Sequence, residues 1–157
     1  MKKIKYIVVH STATTPPMTG EGIRELWKSD NSKRTPQFHY VILRNGEILK
    51  LQTENKLVAG DKGTENTCIH IAYAGGINES GLTCDNSNAI QRDYLFDKIV
   101  YLFEKYPDAK VVGADELQPA AITSPGFNVK EWLSNYLPYL PDTELVIEPD
   151  YNLELAA

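Results

Sequence analysis

No feature of this chain narrows its fold more than the run at residues 6–9. Tyr6, Ile7, Val8 and Val9 are apolar and largely β-branched, the pattern of a strand buried on both faces and therefore central in its sheet. The run ends at His10 and opens into the small polar residues Ser11, Thr12 and Thr14. A histidine where a buried strand gives way to a loop stands where sites are usually built. A core histidine tied to a backbone carbonyl is the other reading, and spacing alone favours neither.

The rest of the chain supplies partners for that strand. Phe38 to Leu43 is rich in strand formers, Asn45-Gly46 is a strong two-residue turn signal, and Glu47 to Gln52 returns as a hairpin partner. Cys68 to Tyr73 reads as a further strand closed by Gly75-Gly76, and Lys110 to Gly113 as a brief last one. Helical spacing of apolar residues predicts a short helix over 22–31, a long one over 89–106 ended by Pro107, and an amphipathic one over 129–136. The expected fold is α/β, a central mixed sheet of about five strands flanked by helices, with strands at 4–10, 37–43, 47–52, 68–74 and 110–113.

Charge and length exclude several function classes. A chain of 157 residues suits one domain with a single core. The net charge of −5 comes entirely from residues 141–157, which carry five acidic side chains and no Lys or Arg. The remaining 16 acidic residues balance 16 basic ones, which argues against a nucleic-acid-binding surface. The expected organisation is a domain at 1–140 followed by an acidic, solvated extension at 141–157. No segment approaches the ~18 apolar residues of a membrane span. Met1-Lys2-Lys3 before the apolar run imitates an export signal, but that run is too short and meets His10 at once. The expectation is therefore a cytoplasmic product as synthesised, acting as a monomer, with cell-wall access only by release or another route. Cys68 and Cys84 form neither a CxxC nor a zinc-ribbon spacing.

Several segments, in order, resemble the zinc-dependent N-acetylmuramoyl-L-alanine amidase family, which includes phage amidase-type lysozymes and peptidoglycan recognition proteins. VVHSTAT is similar to its first metal-ligand strand, FHYVILRNGEI to its YHFVIxxDG hairpin, and CIHIAYAGGI to its SIGIxxxGG strand. YPDAKVVGADEL resembles its YPxxxVVGHRDL stretch, and SPGFNVKEWL its CPGFDxxxWL end. The likeness spans roughly residues 4–137.

The resemblance implies a zinc ion held by two histidines and a cysteine or aspartate, with an open position for water. His10 falls on the first ligand, Ala114 on the second and Ser124 on the third. Phe38 falls on the tyrosine often given a catalytic role, and Ile122 on the Lys or Thr two residues before the third ligand. A methyl has no donor atom, and Phe and Ile cannot hydrogen-bond a developing oxyanion. The expected state is a degenerate site that holds no zinc, in a protein that binds muramyl peptide without hydrolysing it. An active amidase with other ligands would draw on Asp115, Glu116 or His70. Each has a plainer reading, a solvated turn for the two acids and a packed imidazole for His70. His39, beside the tyrosine position, is expected on the opposite face by strand alternation, and Cys68 as a small buried hydrophobe. Substrate contacts are expected from Ser11, Thr12, Thr64, Asn66, Thr67 and Thr123, in the loops 11–22, 58–67 and 114–125. A protein partner, engaged through the fold's surface or the acidic extension, is the third functional class.

Overall fold

A computed structural model describes residues 3–16, 21–22, 36–58, 67–117 and 124–136. In chain order its elements are β1 (Tyr6–Ser11), β2 (Tyr40–Ile42), β3 (Ile48–Lys50), β4 (Cys68–Tyr73), α1 (Ala89–Lys105), β5 (Lys110–Gly113), α2 (Ala114–Leu117) and α3 (Val129–Ser134). The five strands form one sheet in the order β3-β2-β4-β1-β5. β1 runs parallel to β4 and β5, β4 runs parallel to β2, and β2 pairs antiparallel with β3. The mixed five-stranded sheet with β1 inside it is thus the expected architecture. The predicted helix over 22–31 and the acidic extension fall largely or wholly outside the described residues.

All six residues of β1 and all six of β4 are buried, because both faces of these strands are covered. Ile7, Val9, Ile69, Ile71 and Val111 pack against Leu95, Ile99 and Leu102 of α1 and Trp132 and Leu133 of α3. On the other face Tyr6, Val8, Cys68 and Val112 meet Ala114 and Leu117 of α2. Farther along that face, Phe38, Val41, Leu43, Leu49 and Ala72 make a smaller cluster. Period-two alternation therefore sorts β1 into Ile7 and Val9 beneath the long helix and Tyr6, Val8 and His10 on the opposite side.

Two local details differ from the sequence reading. The hairpin loop holds three residues, 44–46: Gly46 N–H donates to Leu43 O at 2.9 Å and Leu43 N–H to Glu47 O at 2.8 Å. Gly46 takes the positive φ of 91° that such a loop needs at its last residue. Arg44 is held out of the strands by its guanidinium, which donates to Asn86 O and Gln91 Oε1, and by its carbonyl, which accepts from Asn88 Nδ2. The second detail is α2, a single turn where a loop was expected.

Candidate functional site

Because β1, β4 and β5 are parallel, the loops that follow them gather at one edge of the sheet, the usual place for a site in such folds. Three segments meet there: residues 11–16 after β1, 74–88 after β4, and 114–117 with 124–127 after β5. The residue that follows β5's Gly113 is Ala114, and Gly113 pairs with Val9. Ser11 N–H donates to Ser124 Oγ at 3.0 Å, and Asp115 N–H donates to Ser124 O at 2.9 Å. His10, Ala114 and Ser124, far apart in sequence, thus converge at the carboxyl edge.

His10 is not an isolated core histidine tied to a carbonyl. Its Nε2 lies 2.7 Å from Nδ1 of His70, which is fully buried on β4. The ring of Phe38 sits 4.9 Å away, centroid to centroid. Burial, and secondarily the neighbouring imidazole of His70, hold the His10 pKa well below that of a free histidine. Its neutral form therefore dominates across the physiological range.

The third histidine joins the row. The expectation that His39 faces away is corrected: its ring stacks parallel to that of His70, with centroids 6.0 Å apart. His39 Nδ1 accepts from the His70 backbone N–H at 3.0 Å, so its proton sits on Nε2, which donates to Lys56 O at 2.9 Å. The physical reason lies in Phe38. His39 continues the ladder, donating its N–H to His70 O at 3.0 Å, and shares the face of Val41. Phe38 departs from the alternation and packs with Val41 on that same face. All three histidines of the chain lie in one buried line, which spacing in the sequence could not reveal.

The two acids proposed as substitute ligands are turned elsewhere. Asp115 Oδ1 lies against Gly113 on the side of Pro125 and Val129, the α3 face rather than that of His10. Glu116 accepts from the Gly113 N–H and pairs with Lys130 at 3.5 Å. Of the three alternatives only His70 stands beside His10. Among the described residues no three His, Cys, Asp or Glu side chains converge into a metal cage.

Of the expected substrate contacts, Ser11 and Thr12 lie at this edge. Thr12 Oγ1 shares a 2.6 Å hydrogen bond with Thr14 Oγ1 and accepts from Gly75 N–H at 3.0 Å. Thr67 does not lie there. It precedes β4, and its carbonyl accepts from Lys5 N–H at 2.7 Å at the amino edge. A six-residue strand separates the two edges by roughly 20 Å, and a residue before a parallel strand belongs to the edge opposite the one after it. Thr64, Asn66, Ile122 and Thr123 lie outside the described residues.

The wall that the sequence reading missed is residues 74–88. Thr14 N–H donates to Gly75 O and Ile77 N–H to Thr14 O, which zip this loop to the one after β1. Asn86 clamps it, accepting from Gly76 N–H at 2.7 Å and donating to Ile77 O at 3.0 Å. Tyr73 O–H donates to Pro125 O at 2.6 Å and joins the third segment, which begins at a cis Ser124-Pro125 bond. The available signal was Gly75-Gly76 directly after a strand parallel to β1.

No family model matches the chain. The endolysin of Escherichia phage T7 is 29% identical over 128 residues, covering 80% of this chain and 83% of that protein. Among solved structures, the Ph2119 endolysin from a Thermus scotoductus bacteriophage aligns with TM-score 0.70 at 23% identity, over 86% of this chain and 85% of the other. The N-acetylmuramoyl-L-alanine amidase LysCS from Clostridium intestinale aligns at 0.66 and 23%, over 87% and 85%. Bumblebee PGRP-SA, a peptidoglycan recognition protein, aligns at 0.68 and 20%, over 87% and 84%.

Proposed function

We propose that this chain, which shares the fold of phage amidases and peptidoglycan recognition proteins, binds muramyl peptide at the carboxyl edge without hydrolysing it. A peptidoglycan-related, amidase-like function follows from the endolysin relatives and these fold neighbours. The finer reading rests on one observation: among the described residues, the positions around His10 bring no three donors together for a metal.

Tetrahedral zinc needs three converging N, S or O donors. Here the His10 Nε2 meets the His70 imidazole, Ala114 presents a methyl, and the Ser124 hydroxyl accepts a backbone N–H of Ser11. A neutral hydroxyl is a poor zinc ligand beside a thiolate, and Phe38 brings no polar atom to the place of a tyrosine. The residues described at this edge do not fit the ion.

Ground-state binding needs none of those groups. Loss of transition-state stabilisation leaves contacts to the remote parts of a substrate intact, since the two energies are separable. The edge retains the half-buried Thr12 hydroxyl beside the exposed Thr15, groups suited to a sugar–peptide. The expected Kd is on the order of 10 μM to 1 mM, equivalent to roughly 4–7 kcal/mol.

The test is metal analysis of protein prepared without chelator and with zinc supplied, beside an assay of peptide release from muropeptide. The expected result is no stoichiometric zinc and no release. One equivalent of zinc lost on His10→Ala, with hydrolysis, would favour the active amidase and point to the His10–His70 pair. The triple change Ala114→His, Ser124→Cys, Phe38→Tyr should restore zinc affinity before rate, because catalysis needs ligand geometry right to ~0.5 Å.

A further inference from the structure

At the opposite edge of the sheet lies a cleft that the muramyl-peptide reading does not use. Its volume is about 550 Å³, and it is framed by the start of the chain before β1, the segment after β3 and the end of α1. Three lysines line it, Lys3, Lys50 and Lys105, with Thr53, Asn55 and Tyr106 between them.

The charges in this cleft are not self-compensated. Glu54 is buried and fully engaged: it accepts from Tyr40 O–H, from Tyr106 O–H at 2.7 Å and from Lys105 Nζ at 2.9 Å. That leaves Asp108 as the other carboxylate of the lining. Among the described residues neither Lys3 nor Lys50 forms an ion pair. A further ammonium, Lys98, stands behind the wall over the ring of Tyr40 at 4.0 Å. Ammonium groups gathered around a concave surface focus a positive potential into it, and hydroxyl and amide groups supply hydrogen bonds beside them.

We propose that this cleft is a second ligand site, taking a small molecule that carries an oxyanion, phosphate or carboxylate. Lys3 and Lys50 would hold the anion, and Thr53 and Asn55 would orient its polar remainder. Asp108 and the carbonyl end of α1 oppose an anion, so the expected affinity is modest, with Kd on the order of 1 mM, and weakens as salt screens the lysines.

The experiment is an NMR titration of the full chain with inorganic phosphate and, separately, with citrate. Saturable amide shifts at Ile4, Thr53 to Asn55 and Tyr106 to Asp108 are expected with at least one of the two, and whichever acts assigns the oxyanion. Lys3→Glu combined with Lys50→Glu should weaken binding at least about tenfold. Both side chains are exposed, so an unchanged thermal midpoint and unchanged shifts at the His10 edge would certify the variant's fold. Lys3→Gln with Lys50→Gln should give an intermediate affinity. Absence of saturable shifts with both anions, or equal affinity in the charge-reversed protein, would overturn the assignment.

Discussion

At the scale of single residues, a buried group's partners decide its chemistry more than burial does. Glu54 shows this away from the proposed groove. Burial alone would raise its pKa, but hydrogen bonds from Tyr40, Lys105 and Tyr106 outweigh it and bring the carboxyl down to about 2. A carboxyl depressed in the folded state stabilises the protein above its ordinary value of 4.5, and that stability is lost as pH falls through about 2. Glu54→Gln should therefore cost about 1.5–3 kcal/mol near neutrality, with the gap to the parent narrowing across that acid window. Urea melts at several pH values check it, and a gap independent of pH would contradict it. Gly76 makes the complementary point in the groove wall. Its φ of 103° suits glycine, and an added Cβ would overlap the side chain of Ser11. Gly76→Ala should cost about 1–3 kcal/mol and loosen the junction of the two loops, measurable as a lower thermal midpoint. His10 stood out in the sequence because the apolar run ended on it, but its pairing with His70 was not legible there. The place of His39 was not legible either, since Phe38, the neighbour it was judged against, departs from the alternation.

At the scale of elements, the sequence was most informative where local signals agreed. Asn45-Gly46 marked the hairpin, but the loop length depended on Arg44, whose partners Asn86 and Gln91 are more than 40 residues away. The long helix was legible from its apolar spacing and from Pro107. Its start carries a capping box: Asn88 Oδ1 accepts from Gln91 N–H at 2.7 Å and Gln91 Oε1 from Asn88 N–H at 3.1 Å. Asn88 also donates to the hairpin through Arg44 O. Asn88→Ala should cost about 1–2 kcal/mol, with a fall in thermal midpoint and faster amide exchange in the first turn of α1. Loss of less than a few tenths would mean that the cap is replaced by solvent. The single turn α2 escaped notice because four residues carry too little periodicity to be read.

At the scale of the whole molecule, strand direction sets which loops can act together. The expectation that Thr67 flanks the groove failed on this point, because order along the chain does not by itself give the edge of the sheet. Parallel pairing of β1, β4 and β5 collects residues 11–16, 74–88 and 124–127 at one edge. The lysine-lined cleft is left at the other. Two independent sites are expected, with muramyl peptide and small oxyanions perturbing different amides.

The most direct measurement is titration of metal-free protein with a muramyl pentapeptide, followed by NMR. Saturable shifts at His10 to Thr14, Gly75 to Asn86 and Ser124 to Phe127, with intact ligand at the end of the experiment, are the predicted result. Silence at that edge in millimolar ligand, or binding that appears only when zinc is added and proceeds to cleavage, would contradict it.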